Sequence, residues 1–261
     1  MSGLHWQATV AWRGTAYVGW QRQPNGPSVQ GELERAIGEL CDTGPVAVVA
    51  SGRTDSGVHA EAQIIGFRTP VPRDLRGLVE GVNHHLPDDI AVVSAAPAPE
   101  GFCPRRWAVG KLYRYRILNR PARCPFRDLL TWNIRRPLDV DAMREAAQHM
   151  VGEFDFSSFR AARCSASSTV RRVKSAVVET TDDGEIRLEF VGNGFLRHQV
   201  RIMTGTLVDV GFGVRKPASI PDVIAARDRE AAGRTAPGQG LTLVRVKMGD
   251  GPLIPHMEDE A

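Results

Sequence analysis

Two apolar periods take turns along the first hundred residues, and their order restricts the fold more than any other feature. His5 to Trp12 puts Trp6, Ala8, Val10 and Trp12 on one side of an alternating run, the pattern of a strand. Ser28 stands where a helix N-cap belongs, and Val29, Leu33, Ala36, Ile37 and Leu40 then recur at helical spacing. Val46 to Ala50 and Gln63 to Arg68 read as strands, the second followed by Pro70 and Pro72. Leu75, Leu78, Val79 and Val82 mark a helix that stops near Pro87, and Ile90 to Ala95 is a further strand. The predicted order is β-α-β-β-α-β, the split βαβ arrangement of ferredoxin-like folds.

A similar alternation of strands and helices follows. Ala96, Pro97, Ala98 and Pro99 read as a linker. Leu112 to Leu118 alternates, with Tyr113, Tyr115 and Ile117 on one face and Arg114 and Arg116 on the other. Leu130 to Arg135 reads as a strand and Asp139 to Val151 as a helix. Val170 to Glu179 and Ile186 to Val191 form a hairpin across a Thr-Asp-Asp-Gly-Glu turn that starts at Thr181. Helices over His198 to Gly211 and from Pro221 to about Ala232 precede a last strand, Leu241 to Met248. The expected class is therefore α/β (α+β): two similar ferredoxin-like or RRM-like units with mixed, mainly antiparallel sheets. Residues 1–104 form an N-terminal domain, residues 105–250 a C-terminal domain, and residues 251–261 a frayed tail.

Composition excludes several classes. The chain has 261 residues, 42% hydrophobic and 24% charged, which suits a globular protein with a sizeable core. No apolar run is long enough for a membrane span, and the first residues lack a signal-peptide pattern. Cys41, Cys103, Cys124 and Cys164 are scattered without a CxxC pair, which points away from zinc sites and disulfide frameworks and toward a reducing cytoplasm. The net charge of +3 hides an uneven distribution. Gly101 to Arg127 holds no acid and eight bases: Arg105, Arg106, Lys111, Arg114, Arg116, Arg120, Arg123 and Arg127. Phe156 to Val178 is also acid-free, with Arg160, Arg163, Arg171, Arg172 and Lys174. Arginine suits phosphates and stacks on bases, so the two runs favour a polyanionic partner.

The chemistry concentrates between Gly52 and His59, where two glycines, two hydroxyls, Arg53, Asp55 and His59 follow a short apolar strand. Gly52 and Gly57 suit a sharply turning backbone. Asp55 beside Arg53 could be a carboxylate nucleophile or base next to a cation, or an Asx-turn beside a solvated arginine. His59 reads as a structural hydrogen-bonder beside the turn. Tyr17 and Trp20, in a glycine-punctuated polar stretch, are either base-stacking platforms or core anchors. Phe154, Phe156 and Phe159 read as core.

These motifs carry a resemblance. The stretch from Ser51 to Ala60 (Ser-Gly-Arg-Thr-Asp-Ser-Gly-Val-His-Ala) resembles the signature loop of the bacterial tRNA pseudouridine synthase A family. Gly14, Tyr17, Gly19 and Trp20 to Gln23 with Ser28 to Gln30 resemble the family's N-terminal motif, and Asn83 with Leu86, Pro87, Asp89 and Ile90 resembles its next block. Lys111, Tyr113 and Tyr115 are similar to the family's tyrosine strand. Asp155, Phe156, Ser158 and Phe159, the run Phe195 to Arg201 with Gly205, Val210 and Gly211, and Gly240 to Val244 complete the ordered set. The resemblance implies isomerisation of uridine to pseudouridine at positions 38, 39 and 40 in the anticodon stem-loop of tRNA, by a homodimer with two α/β domains flanking a basic cleft, without cofactor or metal. By position, Asp55 would be the nucleophile, Tyr113 would lie against the uracil, Arg201 would pair with Asp55, and Arg53 would hold or replace the flipped nucleotide. Ser56, Gln199 and Trp107 depart from the family pattern.

Two rivals give different expectations. A non-catalytic RNA-binding module would tolerate loss of Asp55. A metal-dependent hydrolase using Asp55, His59, His84 and His85 would be inactivated by chelation.

Overall fold

The structure is a computed structural model and describes residues 4–70, 74–162, 164 and 166–249. Pro72, Arg163 and the tail over 251–261 lie outside the described residues. The chain divides into two compact units, one formed by residues to Val109 with those from Leu243, the other by Gly110–Thr242.

In the first unit, β1 (Leu4–Trp12), α1 (Val29–Leu40), β2 (Val48–Ala50), β3 (His59–Thr69), α2 (Leu75–His85) and β4 (Ile90–Pro97) give the expected order, followed by a one-turn helix α3 (Pro104–Trp107). The strands run β4-β1-β3 with β2 also on β3, and all these pairings are antiparallel. Trp6, Ala8, Val10 and Trp12 are buried, and so are Gln7 and Thr9, so both faces of β1 are covered. Trp6 Nε1 donates to Thr69 Oγ1 at 2.8 Å, which satisfies the polar end of a large buried ring. Ser28 Oγ caps α1 by accepting from Gly31 N, and Asp74 caps α2 by accepting from Gly77 N. The stretch read as a linker is partly strand: Ala96 and Pro97 extend β4 and pair with Gln7 and Trp6. A proline is tolerated there because β4 ends the strand order and, among the described residues, leaves one edge unpaired.

The second unit contains β5 (Ala108–Asn119, from Gly110), β6 (Trp132–Ile134), α4 (Val140–Gln148), β7 (Gly152–Asp155), β8 (Val170–Thr180), β9 (Glu185–Gly192), α5 (Gln199–Gly211) and α6 (Ile220–Ala226). Its strands run β5-β9-β8-β7, antiparallel throughout, with β6 parallel to β5. A last strand, β10 (Leu241–Met248), starts in this unit and continues beside β3 in the first. The expected alternation in β5 is present: Tyr113, Tyr115 and Ile117 are buried while Arg114 and Arg116 are half-exposed. In α5 every residue except Arg201 and Asp209 is buried, so the helix is apolar nearly all round. Its carboxyl end receives Asp139 N, the residue that caps α4. Phe156 and Phe159 are fully buried, as a core role requires.

One helix boundary is corrected. The helix read as running to about Ala232 ends at Ala226, because Arg227 takes a left-handed conformation (φ 51°) and Asp228 then caps a short 3-10 turn. The acid-free run from Gly101 is also less basic in space than in sequence. Arg114 pairs with Glu189 and Arg116 forks onto Glu185 across the β5–β9 ladder, while Arg127 meets Asp183 at 2.5 Å. Glu185 is 2% exposed, so its pairing with Arg116 neutralises a charge taken out of water. Exposed cations of this unit include Arg172 and Lys174 on β8 and Arg120 after β5.

Candidate active site

The loop from Ser51 to Val58 joins β2 to β3, and its shape is set by bonds at its base and along its length. At the base, Ser51 N donates to Ile64 O, Ser51 Oγ donates to Gln63 Oε1 at 2.5 Å, and Gln63 Nε2 donates to Gly52 O at 2.9 Å. Gln63 is wholly buried among Ile64 and Ile65. It was not singled out from sequence, although a glutamine inside an apolar strand run is the signal that could have found it. Along its length, the loop is held by the segment after β1. Trp20 N donates to Thr54 O, Gly57 N and Ser56 Oγ both donate to Tyr17 O, and Trp12 Nε1 donates to Val58 O. Gly19, at φ 114°, leaves no room for a side chain: a Cβ there would lie 2.8 Å from Thr54 O and 3.1 Å from Asp55 C. Two stretches far apart in sequence are therefore one structure.

Asp55 stands half-buried in this loop and Arg53 is exposed two residues earlier. Val58 N donates to Asp55 O, closing a tight turn behind the carboxylate-bearing residue. Ser56, the departure from the family pattern, uses its hydroxyl on Tyr17 O and so adds a bond to the clamp. Tyr17 and Trp20 are 6% and 3% exposed and do not form stacking platforms. Trp20 packs on Trp12 with ring centres 5.5 Å apart, and Tyr17 OH donates to Asp89. Burial, reinforced by that bond, pushes the Tyr17 phenol well above its ordinary range. His59 is buried and its Nδ1 accepts from Gly14 N at 2.9 Å.

Tyr113 and Arg201 belong to the second unit. Tyr113 is 8% exposed and meets Phe195 edge-on, with ring centres 5.4 Å apart. Sequence offered no distinction between Tyr113 and Tyr115, but their surroundings differ. Tyr115 is wholly buried, donates its hydroxyl to Pro237 O at 2.8 Å, and packs where a Cβ on Gly240 would collide with its ring. Burial pushes its phenol far up, with the Arg201 charge acting in the opposite direction. Arg201 Nε donates to Ala236 O at 2.8 Å, and Ala236 N returns a bond to Arg201 O. The start of α5 is organised by Gln199, which is wholly buried: its Oε1 accepts from Leu196 N and its Nε2 lies 3.7 Å from Met203 Sδ. Before it, His198 adopts a left-handed conformation (φ 63°).

The hydrolase expectation meets a specific obstacle. The Nδ1 lone pair of His59 is taken by Gly14, and His85 Nδ1 faces Glu39 at 3.3 Å. Among the described residues no three His, Cys, Asp or Glu side chains gather where they could hold a metal ion. Nor is any described helix long and apolar enough to cross a membrane.

A family model described as tRNA pseudouridine synthase matches residues 8–104 and 146–247. The tRNA pseudouridine synthase A of Myxococcus xanthus is 48% identical over 245 residues, covering 94% of this chain and 92% of the relative. The enzymes of the same name from Syntrophotalea carbinolica and Acidiphilium cryptum are 47% and 45% identical, over 91% and 93% of this chain and 93% and 95% of their own lengths.

Proposed function

Because the chain belongs to the tRNA pseudouridine synthase family, we propose that it isomerises uridine at positions 38, 39 and 40 of the tRNA anticodon stem-loop, with Asp55 as the catalytic carboxylate. The observation that carries the assignment to Asp55 is its setting. A half-buried carboxylate sits at a turn whose flanks are fixed by backbone bonds to a second loop. Such a group is held in place before substrate arrives, and positioning of this kind contributes much of a catalytic rate.

The reaction breaks the N1–C1′ bond, turns the uracil, and joins C5 to C1′, after which the C5 proton leaves. Those atoms are hidden in a stacked helix, so the nucleotide must flip out at a cost of a few kcal/mol. Asp55 acts on the ribose, either by attack at C1′ or by taking a ribose proton to leave a glycal. In this proposal Arg201 pairs with Asp55, Tyr113 lies against the freed uracil, and Arg53, exposed on the same loop as Asp55, holds the flipped nucleotide. The bonds are rearranged within one nucleotide, so the chemistry consumes no oxidant, reductant or phosphoryl donor, and we assign no cofactor or metal to it. The working form is a cytoplasmic homodimer, and exposed bases such as Arg120, Arg172 and Lys174 meet tRNA phosphates, which makes binding fall with salt.

The test is to treat a tRNA transcript carrying uridines at 38, 39 and 40 with the enzyme and map pseudouridine by carbodiimide adducts and primer extension. Stops at those positions, absent with Asp55→Asn, are expected. Stops only in another arm would refute the anticodon assignment, and equal stops with Asp55→Asn would refute the role of the carboxylate.

A further inference from the structure

We infer that His59 is a positioning residue for the Asp55 loop, acting through the unprotonated Nδ1 that receives the Gly14 amide. The inference rests on the reading of Asp55 as the catalytic group. His59 opens β3 four residues after Asp55 and is 3% exposed. Its Nδ1 lies 2.9 Å from Gly14 N. A backbone amide only donates, so Nδ1 must carry the lone pair and the ring proton must be on Nε2.

The bond matters because of what Gly14 holds. Gly14 packs so closely on the loop that a Cβ there would lie 2.1 Å from Val58 O. Gly14 O accepts from Tyr17 N at 3.0 Å, and Tyr17 O accepts from Gly57 N and Ser56 Oγ, both at 3.3 Å. Three residues further on, Trp20 N donates to Thr54 O at 3.1 Å. The bonds thus run from His59 to Gly14, from Gly14 to Tyr17, and from the Tyr17–Trp20 segment to the residues on both sides of Asp55. If the Gly14 turn shifts, both flanks of Asp55 shift with it. A histidine that merely filled space in the core would not depend on which of its atoms accepts a bond.

That difference sets the experiment. Asparagine places its Oδ1 as many bonds from the backbone as Nδ1, so His59→Asn keeps the acceptor. Glutamine reaches instead toward the position of Nε2, and alanine keeps no acceptor. The three variants are compared with wild type for single-turnover kcat, for tRNA Kd, for thermal stability, and for amide exchange at Trp20 and Gly57. His59→Gln and His59→Ala are expected to lose kcat by about 10- to 100-fold, the scale of a misplacement of about 1 Å, with Kd nearly unchanged. Exchange at Gly57 and Trp20 should rise in both. His59→Asn should stay within about fivefold of wild-type kcat, keep slow exchange at those amides, and do so even if its melting temperature falls to that of His59→Gln. Equal kcat in the asparagine and glutamine variants, or unchanged exchange in His59→Gln, would overturn the inference. Exchange is read without turnover. A wild type that fails to isomerise uridine while the exchange pattern holds would therefore sink the catalytic reading of Asp55 and leave the clamp standing.

Discussion

Replacing Gly19 with alanine sets backbone strain against the position of the active loop. At φ 114° an L-residue is strained whatever the space, at about 1–3 kcal/mol for such a conformation. The new Cβ would also lie 2.8 Å from Thr54 O, 3.1 Å from Asp55 C and 3.2 Å from Ser56 N. All three are backbone atoms, so no side chain can rotate away, and overpacking adds about 1–3 kcal/mol. If the loop stays in place the protein loses about 2–6 kcal/mol, a large part of a usual stability of about 5–15 kcal/mol. If the loop yields, the strain is relieved but Asp55 moves, and a shift of about 1 Å costs about 100-fold in rate. Thermal melting and single-turnover kcat, measured on the same preparation, read both branches. At about 2–4 °C per kcal/mol, the first branch lowers the melting temperature by about 4–24 °C. Gly44→Ala is the control, because nothing lies within 4 Å of a Cβ there. A Gly19→Ala protein with wild-type melting and wild-type kcat would refute the claim that the Gly14–Trp20 segment fixes the Asp55 loop.

Three other outcomes follow from the same geometry. Tyr115→Phe leaves Pro237 O without its buried donor and should cost about 1–3 kcal/mol in chemical denaturation while kcat holds, whereas Tyr113→Phe should lower kcat; the reverse pattern would exchange the assigned roles. Gln199→Ala removes the acceptor for Leu196 N at the start of α5 and should destabilise by about 1–3 kcal/mol, and an unchanged melting temperature would show that this bond contributes nothing. Thr181 and then Arg127 hold the Asp183 carboxyl at about 2, below the ordinary 3.8. Because its folded value is depressed, its contribution to stability is fully present above about 3.8 and is lost as pH falls through about 2; a carboxyl titration seen by NMR near 3.8 would contradict this.

The elements that could be read in the sequence were those whose period is set by burial on one face. β5 was legible because Tyr113, Tyr115 and Ile117 alternate with charged residues, and α1 because Ser28 announces it. β3 begins at His59, four residues before the apolar run that revealed it, because its first turn-proximal residues serve the loop and not only the core. β7 spans only Gly152–Asp155, too short to show a period, and α3 spans four residues. The pairing of part of the basic run was hidden for another reason. Arg114 and Arg116 are neutralised by Glu189 and Glu185, which are about seventy positions away and meet them only through the β5–β9 register. For the site, residue types and motif spacing singled out Asp55 and His59. They did not disclose that Tyr17 would present its carbonyl, not its ring, to the loop.

The central claim is that Asp55 drives an isomerisation in which C5 of uridine exchanges its hydrogen for the bond to C1′. The most direct measurement is tritium release from tRNA labelled at uridine C5, with wild type and Asp55→Asn compared in the presence and absence of chelator. The account predicts stoichiometric release by wild type, no effect of chelator, and no release by Asp55→Asn although it still binds tRNA. Release by Asp55→Asn at the wild-type rate, or no release by a wild type that binds tRNA, would contradict it.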